Sequence, residues 1–279
     1  MTAGLIAVDI GMTNIDLIVE SKSGLRLEML ANKEKTAVDQ LKQALSHIDE
    51  NHSKGMTIGV TGGRYRDLPD ELDGSKILKV DEMQALGLGG LALSKRHSGL
   101  VVSAGTGAAM VAAGPEGIEH VTGSAVGGGT LLGLSKLILG TDDVFEIDAL
   151  AMEGDAAAVD IMLTEAVGGE VGRLPANANA VNLGKLDREE SFTRQNLAAG
   201  LVRLVAQVIS VIAINAASAS SMENIIMVGH LMDLKAIQKE VCLVGEFYQR
   251  SFVIPENPGF GTAMGVLVAM REMHNKEIR

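Results

Sequence analysis

The sequence predicts an α/β fold built as two related lobes around a shared cleft. Three observations carry that expectation. Thirty-three glycines are spread through 279 residues without collagen-like periodicity, which calls for many tight turns. Short apolar runs alternate with longer stretches of helical spacing. A unit of strand, Gly/Thr turn and returning strand occupies residues 4–20 and recurs at residues 100–114, so each lobe presents one polar loop.

Composition narrows the function. Apolar residues make up 47% and aromatics 3%, with no Trp, so the core must be Ala, Val, Leu, Ile and Met. A net charge of −11 without a basic cluster argues against a nucleic-acid surface, which needs Lys and Arg to meet phosphates. Cys242, the single cysteine, permits no intrachain disulfide and fits a reducing compartment. Residues 199–219 form the nearest approach to a membrane span, but Arg203, Gln207, Ser210 and Asn215 interrupt it. The N-terminus shows no basic leader. The expectation is a cytoplasmic protein with neither membrane nor nucleic acid as partner.

In chain order, residues 4–10 read as a buried strand carrying Asp9 near its end, 11–14 as a turn and 15–20 as the returning strand. A carboxylate beside a Gly/Thr/Asn turn can hold a hydrated Mg²⁺ while the turn offers amides and hydroxyls to phosphate; a plain hairpin with a polar tip has the same pattern. Val38, Leu41, Leu45 and Ile48 give helical spacing over 36–50. Residues 56–60 form a strand running into Thr61, Gly62 and Gly63. Residues 77–80 form another, ending at Asp81 and Glu82, with helix from Met83 to about Leu93. Residues 100–102 lead into Ser103, Ala104, Gly105, Thr106 and Gly107.

The stretch 120–136 starts polar and small, reaches three consecutive glycines at 127–129 and turns helical at Thr130. Ordering three glycines is entropically costly, which points to close backbone approach, with an anion at the helix start as the natural ligand. The alternative is a turn before a core helix. Further on, helices over 143–167 break at Gly154 and Asp155, and residues 168–184 look irregular. A long apolar helix fills 195–219, either as an interface or as a buried centre. A strand at 224–229 meets a glycine, a helix covers 231–246, a strand 252–254, and a helix 262–276 closes the chain after a loop.

Read together, these loops resemble one family. Residues 121–134 follow the glycine-rich signature of the type II (eukaryotic-like) pantothenate kinases, and 61–63, 80–82, 103–107, 154–155, 168–169, 227–229 and 259–261 match that family's pattern in order. The resemblance implies the two-lobed actin-like ATPase (ribonuclease H-like) fold with a central cleft, shared by acetate kinase, sugar kinases, Hsp70 and actin. It implies an N-terminal lobe over 1–98 and a C-terminal lobe over 99–279. It further implies an ATP-dependent kinase acting on the primary hydroxyl of pantothenate, with Mg²⁺, as a homodimer. Alternatives are a kinase of the same fold for another small hydroxylated acceptor, or an ATP-binding activator.

Site roles carried over from the resemblance are these. Asp9, with Gly11, Met12, Thr13 and Asn14, forms the first phosphate loop and holds Mg²⁺ through water. Glu82 is the catalytic base; the competing reading makes Asp81 and Glu82 a helix-capping pair. Gly105 and Gly107 sit at the phosphates with Thr106 near the substrate hydroxyl. Gly127, Gly128 and Gly129 let the backbone approach ATP, and Gly229 borders the adenine. Three residues depart from the family: Met12 replaces a glycine, Asp16 a lysine, and His120 an arginine implied to grip the substrate. Imidazole lacks the guanidinium's bidentate fork. His120 either points into the site or lies at a strand end on the surface; in the latter case Lys79 or Arg173 must supply the charge.

Overall fold

The computed structural model describes residues 4–48, 56–172, 174–188 and 191–277. Arg173 and the last two positions of the helix expected over 36–50 lie outside the described residues.

Two sheets share one plan. The first contains β1 (Leu5–Ile10), β2 (Asn14–Ser21), β3 (Gly24–Ala31), β4 (Thr57–Gly62), β5 (Glu71–Leu72) and β6 (Ser75–Lys79), ordered β3-β2-β1-β4-β6-β5. The second contains β7 (Gly99–Ala104), β8 (Ala108–Gly114), β9 (Gly117–Ser124), β12 (Ile225–Val228) and β13 (Phe252–Val253), ordered β13-β12-β7-β8-β9; β10 (Ile161–Met162) and β11 (Asn179–Val181) pair separately. In each sheet a central strand is antiparallel to the next strand in sequence and parallel to a later one: β1 to β2 and β4, β7 to β8 and β12. This is the ribonuclease H-like plan used twice, as the resemblance implied. Central strands read as continuous apolar runs because both their faces are covered; Ile6, Ala7 and Val8 are buried, as are Leu100, Val101 and Val102.

Helices α1 (Ala37–Leu45), α2 (Glu82–Ser94), α3 (Gly128–Leu139), α4 (Val144–Glu153), α5 (Leu163–Val167), α6 (Arg194–Ala219), α7 (Lys235–Tyr248) and α8 (Gly261–Glu277) cover the sheets. Strands divide between the sheets at residue 98, whereas two helices cross over. From α2, Leu86 packs with Val101, Val111 and Ile226 of the second sheet, while α8 sends Ala263, Val266 and Leu267 onto Ala7 and Ile18 of the first. The two crossing helices meet backbone to backbone, Gly89 against Gly261 and Gly265 against Ala85. The lobes are thereby latched together through small residues.

By length and composition, α6 is the one helix among the described residues that could cross a membrane. Here it is the central helix of the larger core: Leu201, Val205, Ile209 and Ala213 are buried against Leu100, Met227 and Ile237. Its partly buried Arg203 pairs with Glu240 of α7 at 2.9 Å and with buried Asp160 at 3.4 Å. A buried centre, rather than an interface, therefore accounts for its apolar character.

Five strands were not among the sequence expectations: β3, β5, β9, and the pair β10 and β11, of which β10 interrupts the stretch expected to be helical over 143–167 and β11 lies in the stretch expected to be irregular. β3 alternates Leu25, Leu27 and Met29 but leaves Leu25 and Met29 exposed at the sheet edge, so its alternation does not mark a buried face. β5 has two residues. β9 overlaps the start of the glycine-rich stretch and carries Ile118 and Val121 as its only large apolar residues; it pairs with the edge that β8 offers. The following helix starts at Gly128, two residues before Thr130.

Candidate active site

Five of the loops singled out in the sequence lie at the carboxyl ends of strands that have a parallel neighbour, where open α/β sheets bind ligands, whereas the glycine triplet follows the antiparallel edge strand β9. Asp9 sits at the end of β1, Gly62 at the end of β4, Glu82 just after β6, residues 105–107 after β7 and Gly229 after β12. The two sets of loops face each other. Thr13 Oγ1 of the first loop lies 3.1 Å from Thr106 Oγ1 of the second, so the loop tips touch across the cleft.

The first loop is braced from β3, which sequence reasoning missed. Asn32 donates from Nδ2 to the Gly11 carbonyl at 2.7 Å and from its backbone to the Thr13 carbonyl at 2.8 Å. Met12, between those two anchor points, is 83% exposed and projects from the tip. Asn14 opens β2.

Asp9 and Asp16 are directly opposed on β1 and β2, which places both carboxylates on one face. Burial, then Asp16 and Glu82, push the Asp9 pKa up to about 8, against lowering contributions from His230 and a hydrogen bond from Thr262. A divalent cation held through water fits this position. It would favour the ionised carboxylate that burial and two neighbouring acids disfavour, and Mg²⁺ commonly uses one carboxylate together with substrate phosphates.

The carboxylates at 81 and 82 separate in role. Asp81 is the N-cap of α2, accepting from Met83 N at 3.0 Å and Gln84 N at 3.4 Å. Asp81 is also held by Tyr65 Oη and Arg66 Nη2, each at 3.3 Å. Glu82 makes neither cap bond and is half-buried; burial and then the Asp81 charge raise its pKa, while Arg66 lowers it. Capping thus explains Asp81 and leaves Glu82 free for a proton-accepting task.

The three glycines bring α3 onto the second loop. Gly128 N donates to the Gly105 carbonyl at 2.8 Å and Gly129 N to the Thr106 carbonyl at 2.9 Å, while Gly105 N donates to the Gly107 carbonyl at 2.9 Å. A side chain at Gly127 would collide with Thr106 and Gly107. The close backbone approach read from the sequence is made here to the loop 105–107, which it holds at the helix start.

Gly229 has φ +96° and its neighbour across the sheet is the Ala104 backbone, so a Cβ there would be both strained and obstructed. The next residue, His230, was not singled out in the sequence. Its Nε2 lies 2.8 Å from Asp16 Oδ1 and its Nδ1 2.7 Å from Asp233 Oδ2. These two carboxylates outweigh the effect of burial and push the His230 pKa up to about 10. A histidine directly after a strand-ending glycine was the only local signal, and nothing in the sequence pairs it with Asp16.

His120 is exposed on β9, on the face that also carries Ile118, whose side chain lies against Gly87 of α2. Lys79 is committed to Asp70 at 2.9 Å.

The Fumble family model matches residues 94–253. A type II pantothenate kinase of Bacillus cereus (strain G9842) is 26% identical over 227 residues, covering 78% of this chain and 83% of that protein. Among solved structures, the activator of the 2-hydroxyisocaproyl-CoA dehydratase from Clostridium difficile with bound ADPNP superposes with a TM-score of 0.65 at 14% identity, covering 98% of this chain and 97% of that one. A ROK family glucokinase from Streptomyces griseus in complex with glucose and AMPPNP gives a TM-score of 0.63 at 14% identity, covering 96% and 99%. These likenesses establish the two-lobed actin-like ATPase fold.

Proposed function

The chain belongs to the Fumble family, and from that premise we propose that it is an ATP-dependent kinase that phosphorylates the primary hydroxyl of pantothenate. The observation that carries the reading is the meeting of two polar loops, Thr13 against Thr106, with Glu82 near enough to Asp9 to raise its pKa. In this reading the two loops bind a polyphosphate and Glu82 accepts a proton. Phosphoryl transfer asks chiefly for positioning and charge stabilisation.

In this reading the first loop, Gly11 to Thr13, and the second, Gly105 to Gly107, hold the phosphates from opposite sides. Asp9 would hold Mg²⁺ through water, where the cation would neutralise charge on the phosphates. Glu82 takes the proton from the acceptor hydroxyl, its raised pKa bringing its basicity closer to the task. Thr106 hydrogen-bonds near that hydroxyl, and the Gly229 turn borders the adenine. His120 faces the acceptor from β9. The protein acts in the cytoplasm as a homodimer, without nucleic-acid or membrane partners.

The exposed imidazole of His120 favours one second reading, a kinase of the same fold for a different small hydroxylated acceptor, because an imidazole lacks the bidentate fork with which a guanidinium grips a carboxylate. A panel of pantothenate, sugars, nucleosides and other hydroxy acids, scored by ADP release with Mg²⁺ and ATP, tests both. Preference for pantothenate is expected; preference for another acceptor transfers the assignment. ATP turnover indifferent to every acceptor would instead indicate an activator.

A further inference from the structure

The contact between Asp16 and His230 joins residues 214 positions apart and bridges the two lobes at the cleft. Asp16 lies on β2 of the first sheet and is only 6% exposed. His230 opens the short turn after β12 of the second sheet, directly beyond the Gly229 turn. The imidazole has three neighbours: Asp16 at Nε2, Asp233 at Nδ1, and Phe260 edge-on with ring centroids 6.0 Å apart. Gly259 leaves the room for it, since a Cβ there would strike the imidazole and the Asp233 carboxylate. This is a built position.

Its charge matters to the cleft. Asp16 and Glu82 both act on Asp9 as like charges, and His230 is the cation that acts on Asp9 among the described residues. Three carboxylates facing a nucleotide's phosphates would oppose its entry. Burying Asp16 without a partner would also leave an uncompensated charge in a low dielectric. We infer that His230 is a positioning residue for the nucleotide: it ties Asp16 of the first lobe to the Gly229 turn of the second and balances the carboxylates on which the phosphates close. The inference rests on the nucleotide-binding reading above. Its raised pKa keeps His230 positively charged through the neutral range, consistent with that role.

The test is calorimetric titration of the full chain with Mg²⁺ and ADPNP, independent of any acceptor, alongside melting curves that report the folded fraction. His230→Gln is expected to weaken binding about tenfold or more, because Asp16 loses its counter-charge. The double variant Asp16→Asn/His230→Gln is expected to recover to within about threefold of the original, since a neutral amide needs no cation. Gly259→Ala, which keeps both charges but crowds the ring, is expected to weaken binding without altering charge. Equal affinity of the original protein and His230→Gln overturns the inference, as does a double variant no stronger than the single one. If His230→Gln does not fold, the double variant and Gly259→Ala decide between these outcomes. Failure of the unaltered protein to bind ADPNP overturns the nucleotide reading itself.

Discussion

The two lobes use the same backbone device and load it with different chemistry. β4 ends at Gly62 with φ +105°, where a Cβ would strike the Ile10 backbone; β12 is followed by Gly229 with φ +96°, where a Cβ would strike the Ala104 backbone. In both, the glycine lets one strand end pass close beneath the loop of its neighbour. After Gly62 come exposed Gly63 and Arg64, whereas after Gly229 comes His230, pinned between two aspartates. The first loop carries a carboxylate and is braced by Asn32 from a neighbouring strand; the second carries none and is braced by the amides of α3. Duplicated geometry therefore does not mean duplicated function. In the proposed reaction the first lobe contributes the acids, and the second contributes amides and the fixed cation.

The comparison can be broken most severely at Glu82, which has no counterpart role in the second lobe. Glu82→Gln is expected to lower turnover by about 10²- to 10⁴-fold while ADPNP affinity is retained, as read by steady-state kinetics and titration. Turnover within a few-fold of the original would remove Glu82 from the chemistry. The paired glycines come next. Gly62→Ala and Gly229→Ala should each cost about 1–3 kcal/mol of stability in denaturant melts, because both force a Cβ into the left-handed region against backbone. Only the second should also weaken nucleotide binding, and equal effects on binding would make the lobes functionally alike.

A third prediction concerns the buried charge. A carboxyl whose pKa rises from 3.8 to about 8 on folding retains its proton in the native state where the unfolded chain has lost it. Stability therefore falls as pH rises through that window and levels off above it. Without Mg²⁺ or nucleotide, Asp9→Asn should melt higher than the original protein at pH 8 and show a smaller advantage near pH 4, with roughly 2–4 °C for each kcal/mol. An advantage that does not grow with pH would show that Asp9 is not the strained acid. The smallest effect is expected at the exposed His120. His120→Arg should lower the KM for pantothenate by about a few-fold, less than a fully buried charged hydrogen bond because the position is exposed, and leave the melting temperature unchanged. No change in KM would place the acceptor elsewhere.

Much of the scaffold was legible because it is local. The buried strands β1, β7 and β12 are continuous apolar runs, and each ends at a polar or glycine-rich turn whose residue types serve that turn directly. The edge strands were harder: β9 has only Ile118 and Val121 as large apolar residues, without clean alternation, and it forms on the free edge of β8. Asp81 and Glu82 were legible as a pair but not as individuals, since the division into cap and free carboxylate depends on where α2 begins and on Tyr65 and Arg66 nearby.

By itself the sequence determined the α/β class, the positions of the loops and the carboxylates they carry, because strand periodicity, glycine and turn chemistry act over a few neighbouring residues. Only the tertiary structure decided what those loops meet. Thr13 and Thr106 touch from 93 positions apart, and Asp16 finds its cation 214 positions away. It also decided that α2 and α8 exchange lobes, and that the glycine triplet grips the second loop. Such contacts are set by how two sheets and their crossing helices pack, and no local pattern encodes which distant side chain that packing will bring within hydrogen-bond reach.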